Sequence, residues 1–191
     1  MKMTALEIHF VNDVNHARKV AGRALELLGK IQPPAGARYL DVGCGVGSAA
    51  SEVAAARHYD VTGVDVDPGQ IAAAQARSGG NNPQFRVMDA TRLDFPDGEF
   101  DVVASSMATH HIPNWQQALA EMARVLRAGG HLIYSDHVVP AWLAKGPRWL
   151  VRLIRFPLAS AIDAWAARAG MAKVYEEKRY NHVDVIWLKS A

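Results

Sequence analysis

Apolar positions along this chain follow two rhythms. Val14, Ala17, Val20, Ala21, Ala24, Leu25 and Leu28 recur at three- and four-residue spacing, with Arg18, Lys19, Arg23 and Glu26 largely opposite. That spacing predicts an amphipathic helix over Val14 to Leu28. Gly29 ends it, and Pro33, Pro34 and Gly36 make a stiff link into the first strand. Short apolar runs then take over: Tyr39 to Val42, Val61 to Val64, Phe85 to Met88, Phe100 to Ala104 and His131 to Ser135. Between them lie stretches that suit helices. Asp67 can cap a helix that has Pro68 in its first turn and runs to about Arg77, and Asn114 can cap another over Trp115 to Leu126. Phe100 to Ala104 is apolar apart from Asp101, as expected of a strand buried on both faces. Strands alternating with helices predict a doubly wound α/β fold, a Rossmann-like three-layer sandwich.

The first strand runs into a glycine turn, Asp41-Val42-Gly43-Cys44-Gly45-Val46-Gly47, and then into small helix-compatible residues from Ser48. Strand, glycine turn and helix let a ligand lie against backbone N–H groups at a helix start. The glycines nearly fit a dinucleotide pattern, so NAD or FAD must be weighed. Asp41 weighs against them, because a carboxylate at that turn repels a pyrophosphate and attracts an ammonium or sulfonium. Asp65 closes the second run, where an acid can accept both hydroxyls of a ribose. Asp89 closes the third, followed by the small Ala90. Three acids at three successive strand ends form a far more specific constellation than a lone glycine turn.

On these residues the chain resembles the class I S-adenosylmethionine-dependent methyltransferases of the small-molecule type, the branch that includes the quinone-biosynthesis enzymes. The likeness runs from about Tyr39 to Ser135, through DVGCG, GVDVD, Asp89-Ala90, FDVVASSMATHHI and VLRAGGHLIYSDH. It implies a seven-stranded, mostly parallel sheet whose last strand is antiparallel, with Met171 to Lys178 and the run through Val183, Val185, Ile186 and Leu188 as the closing hairpin. It also implies S-adenosylmethionine as cofactor and S-adenosylhomocysteine as its product. Asp41, Gly43 and Gly45 would hold the methionine end, Asp65 the ribose and Asp89 the adenine. Cys44, Val66, Ala90 and Ser105 complete the expected cofactor-binding set. The single domain would divide into an N-terminal helical cap (1–36), a cofactor-binding core (37–137), a substrate cap (138–170) and the hairpin (171–191). Enzymes of the wider group that methylate nucleobase or glutamine nitrogens carry an Asn/Asp-Pro-Pro-aromatic loop after strand four. Ser105-Ser106-Met107-Ala108 stands there instead, which argues against such acceptors.

Composition narrows the picture further. The 191 residues are half apolar with a formal net charge of +2, and no Lys/Arg run points to nucleic acid as a partner. A single cysteine, Cys44, excludes an internal disulfide and a cysteine metal cluster, and its place in the turn reads as packing. The first residues lack the apolar core of a signal peptide, so a cytoplasmic location is the expectation. Methyl transfer needs a base only where the nucleophile must lose a proton. His110, His111 and His137 are the candidates, lying with Asp136 beyond strands four and five. A metal held by His110, His111, Asp136 and His137 is conceivable, but no tight ligand spacing supports it, and the expectation is none. Arg148, Arg152 and Arg155 share one face of a helix predicted at 146–158, with Trp149, Leu150, Leu153 and Ile154 opposite. That helix reads as a lid over an apolar or aromatic acceptor, as a membrane-surface helix facing anionic headgroups, or as an ordinary core helix. The expected acceptor is a small hydrophobic or amphipathic metabolite, methylated at O, C or N. The alternatives are a membrane-surface lipid or isoprenoid methyltransferase and a non-catalytic S-adenosylmethionine-binding partner subunit. The sequence does not set the oligomeric state.

Overall fold

The computed structural model describes residues 14–139 and 157–190. The predicted helix at 146–158, with its three arginines, lies almost entirely outside the described residues. In chain order the elements are α1 (Val14–Leu28), β1 (Arg38–Val42), α2 (Ser48–Arg57), β2 (Asp60–Asp65), α3 (Pro68–Ser78), β3 (Gln84–Val87) and β4 (Phe100–Ser106). A 3-10 turn (Thr109–His111), α4 (Trp115–Val125), β5 (Leu126–His137), α5 (Ala159–Arg168), β6 (Met171–Arg179) and β7 (His182–Lys189) complete the order. The strands form one seven-stranded sheet in the order β3-β2-β1-β4-β5-β7-β6. β7 is antiparallel to both of its neighbours, and the other described pairings are parallel.

Alternation along the central strands sorts side chains onto two faces. Leu40, Val42, Val103, Leu132, Tyr134 and Trp187 join Leu119, Met122 and Val125 of α4 and Ile162 and Trp165 of α5 on one side. Tyr39, Val61, Val102, Ile133 and Ile186 meet Ala24, Leu27 and Leu28 of α1, Ala50 and Val53 of α2 and Ile71 of α3 on the other. Helices on both faces hold the carboxyl ends of β1, β2 and β4 along one rim, where doubly wound folds place their ligands. Among the described residues, no helix is long and apolar enough to cross a membrane.

Three departures from the sequence pattern bear on the site. β4 continues past Ala104 to Ser106, where Ser105 and Ser106 pair with Tyr134 and Ser135, and β5 continues past Ser135 to His137 because β7 pairs with its extension: Asp136 lies opposite Val183 and His137 opposite His182. Residues 159–168, inside the expected substrate cap, form α5 and bury Ile162, Trp165 and Ala166. Arg23, expected on the polar face of α1, is only 14 % exposed. It reaches Asp184 of β7 at 2.7 Å and Glu177 of β6 at 2.6 Å. The outer strand β6 carries Lys173 and Lys178, both paired with Asp163 and Glu176, and its pairing shifts register between Lys173 and Tyr175.

The Asp184 carboxylate is fully buried and shared by Arg23, His182 and Ser135. Burial alone would raise its pKa, but these partners hold it far below the ordinary carboxylate range. Its stabilising contribution is therefore complete above that range and is lost as pH falls below it, toward the depressed value of the folded state. Asp184→Asn should cost on the order of 3 kcal/mol in urea unfolding at neutral pH, because it leaves Arg23 without its buried counter-charge. The gap to wild type should narrow on acidification; a constant gap would remove the ion pair as its cause.

Candidate active site

The turn between β1 and α2 is a backbone device. Gly43 and Cys44 donate their N–H groups to the Val64 carbonyl at 2.8 and 3.0 Å, which ties the turn to β2. Gly43 has φ 80° and Gly45 φ 53°, in the left-handed region that glycine accepts readily. Their surroundings differ. A Cβ on Gly43 would lie 2.3 Å from the Ala108 Cβ, so the turn and the loop after β4 touch. Among the described residues, a Cβ on Gly45 would meet nothing closer than Gln70 Oε1 at 3.9 Å.

Acids gather at this turn. Asp41 is 4 % exposed. Burial, helped by the nearby Asp65 charge, pushes its pKa up to about 7, and no described residue donates a hydrogen bond to it. Asp65 ends β2 with both oxygens engaged, accepting from Gly45 N and Asp67 N at 2.9 Å each. The Gly45 N–H that a pyrophosphate would need thus already serves a carboxylate. Asp67 caps α3, as its sequence context predicts. Cys44 is half-buried and donates to the Gly45 carbonyl at 3.7 Å; burial raises its thiol well above the usual range, so it stays a neutral packing group. Val66 is 60 % exposed beside Asp65. Asp89, two residues past β3, accepts from Thr91 N and Thr91 Oγ1 at 2.8 and 2.7 Å, which hold it below the ordinary range, while Ala90 packs on the core. Ser105 Oγ and Gln70 Oε1 are buried without a hydrogen-bond partner among the described residues.

The loop after β4 brings in the second set of groups. Met107, at φ 55°, donates its N–H to the Ser135 carbonyl at 2.8 Å, and the 3-10 turn then places Thr109 and His110 over the end of β5. Asp136, wholly buried, accepts His110 Nδ1–H at 2.5 Å and His137 N–H at 2.7 Å on Oδ1. Its Oδ2 accepts His110 N–H at 3.1 Å and the Thr109 hydroxyl. Burial alone would raise its pKa; His110, Thr109 and the His137 amide reverse that and hold it below the usual range. A carbonyl can only accept, so His137 donates Nδ1–H to Asn181 O at 3.2 Å. The rings of His111 and His137 lie 3.9 and 5.5 Å from that of His110, and His182 lies 5.6 Å beyond His137. Among the described residues no three His, Cys, Asp or Glu side chains converge as a metal-binding set.

Thr109, Tyr134, Gln70, His182 and Asp184 are polar groups of this rim that sequence reasoning did not single out. Thr109 had a local signal, since it precedes the histidine pair. His182 and Asp184 had none, because only the insertion of β7 beside β5 brings them here.

Residues 40–134 match the family described as "Methyltransferase domain". The chain is 37% identical over 117 residues to a 27-O-demethylrifamycin SV methyltransferase of Amycolatopsis mediterranei, a stretch covering 59% of this chain and 43% of that protein. It is 34% identical over 179 residues to a fatty-acid O-methyltransferase of Mycolicibacterium smegmatis, covering 78% of this chain and 65% of that one. It therefore spans less than two thirds of the length of either curated relative. A solved geranyl diphosphate methyltransferase in complex with S-adenosylmethionine shares the fold at a TM-score of 0.78, with 14% identity, covering 93% of this chain and 92% of that one.

The two glycines should respond differently to a methyl group. Gly43→Ala forces a clash with Ala108 and should cost about 3 kcal/mol, read as a lowered urea midpoint. Gly45→Ala has room and should cost only about 1 kcal/mol for its left-handed backbone. Equal losses would contradict the contact between the turn and the β4 loop.

Proposed function

This chain belongs to the methyltransferase-domain family matched at 40–134, and on that premise we propose that it moves a methyl group from S-adenosylmethionine to a hydroxyl of a small hydrophobic or amphipathic molecule. One observation carries the reading. A buried carboxylate at the end of β1, with no donor among the described residues, and a histidine anchored on a second buried carboxylate share one sheet rim, joined where Gly43 meets Ala108.

The residues fit this cofactor. No described side chain crowds Gly45, which leaves room for it there, and Asp41, ionised, would meet its ammonium. Asp65 would accept ribose hydroxyls through remaining lone pairs, and Asp89 would face the adenine. Cys44, Val66 and Ala90 would line the same pocket, and the unpartnered Ser105 Oγ and Gln70 Oε1 would find donors there. When bound, S-adenosylmethionine supplies an electrophilic methyl on a sulfonium and leaves as S-adenosylhomocysteine.

The chain's own contribution to chemistry is a base. Because His110 donates Nδ1–H to Asp136, its neutral form accepts protons at Nε2. As the acceptor oxygen attacks, its O–H proton passes to Nε2, and Asp136 balances the imidazolium. An ionised carboxylate stands behind the His110 ring, whereas His111 lies tilted against that ring and His137 donates to a carbonyl. An apolar acceptor is supported by the two named relatives, which act on a rifamycin and on fatty acids.

Incubation with methyl-labelled S-adenosylmethionine and a cell extract should place label in the organic phase. Cofactor binding with no labelled product in either phase would overturn the reading. His110→Gln should lower turnover roughly 100-fold or more while S-adenosylhomocysteine affinity holds; parallel loss of both would make His110 structural. Since free Asp41 titrates near 7 and an ammonium prefers its ionised form, S-adenosylhomocysteine should bind more tightly as pH rises from about 6 to about 8. Calorimetry on Asp41→Asn should show weaker binding without that slope, and a retained slope would assign the proton elsewhere.

A further inference from the structure

We propose that Thr109 and Tyr134 are positioning residues that set the protonation balance of the His110–Asp136 pair through a buried chain of hydroxyls. The inference rests on the reading of His110 as base. Thr109 is 1 % exposed, and Tyr134 and Asp136 are fully buried, so no bulk water can substitute for these contacts.

Proton directions in the chain follow from chemistry. Thr109 Oγ1 touches both Asp136 Oδ2 and, at 2.8 Å, the Tyr134 hydroxyl. An ionised carboxylate only accepts, so the single Thr109 proton goes to Asp136 and Tyr134 must donate to Thr109. The order is Tyr134 O–H to Thr109 Oγ1, Thr109 O–H to Asp136 Oδ2, and His110 Nδ1–H to Asp136 Oδ1. Each hydroxyl polarises the next, so the second strengthens the first.

Among the described residues, Asp136 has three donors besides the His110 ring: the amides of His110 and His137, and the Thr109 hydroxyl. The two amides are backbone groups that no side-chain substitution deletes. Thr109 is the adjustable one. Its hydroxyl draws off part of the carboxylate's negative charge and so keeps the Nδ1 proton on the ring, rather than on Asp136, once Nε2 has taken up a second proton. Without that donor, Asp136 becomes a stronger base, and the pair takes up a proton at higher pH. Among the described residues, the titratable groups beside His110 are Asp136 and His137 from β5 and His111 from its own turn, with Tyr134 reached through Thr109 and His182 beyond His137 on β7. A change at Thr109 replaces none of these side chains, and of them its hydroxyl touches Asp136 and Tyr134 alone among the described contacts.

The test is an NMR pH titration of the His110 ring, assigned by loss of its signal in His110→Gln, with thermal unfolding measured alongside. Thr109→Val should move the pair's midpoint upward by roughly one pH unit. Tyr134→Phe should move it the same way by less, and Thr109→Ser should restore the wild-type midpoint. Because Thr109→Val leaves the Tyr134 hydroxyl unpaired, the Thr109→Val/Tyr134→Phe double variant supplies the shift in a chain free of that penalty. Coincident midpoints in wild type and the double variant, whatever the melting temperatures, would overturn the proposal. The titration needs no acceptor, so it separates the two ideas. Shifted midpoints without any methyl transfer by the wild type would leave the hydroxyl chain standing and sink the base assignment.

Discussion

A carboxylate taken out of water must find donors, find a cation or give up its charge. The ligand rim of this sheet contains two such groups in opposite conditions. Asp136 is saturated with two amides, a hydroxyl and an imidazole, and it stays ionised at full burial. Asp41 has no donor among the described residues and sits half-charged near neutral pH. The first has its charge answered within the fold; the second does not among the described residues. Both arise from the same geometry, because parallel strands end together along one rim and bring their terminal side chains into one dry layer.

Close approach joins the two halves. The glycine turn and the β4 loop meet at Gly43 and Ala108, and Met107 is pinned to the Ser135 carbonyl. The glycine turn and the histidine loop are therefore parts of one packed unit. Asp65 adds a further tie, since it holds Gly45 N–H and Asp67 N–H together and fixes the turn relative to the start of α3.

What could be read from the sequence was what local physics writes locally. The period of α1, the runs of β1 to β4, the cap at Asp67 and the three strand-end acids are short-range signals, and the structure has each element where its pattern lies. Strand lengths were less legible, because Asp136 and His137 join the ladder only through pairing with β7. The same non-local pairing hid Asp184 and His182, and it turned Arg23 from a surface residue into a buried counter-ion. Thr109 and Tyr134 look ordinary in sequence, a small polar residue and a core aromatic. They become a pair only when β4 and β5 lie side by side with their ends level.

The bulged outer strand β6 bears on how this sheet meets other chains. A sheet ends in unpaired backbone groups, and a flat apolar edge invites another strand to add to it. β6 offers instead an irregular ladder beside Lys173, Glu176 and Lys178, whose charges are knitted to Asp163. A strand docking there would have to strip water from that network and match a broken register. Growth of the sheet past β6, and with it edge-to-edge aggregation, is disfavoured by the residues that decorate its rim.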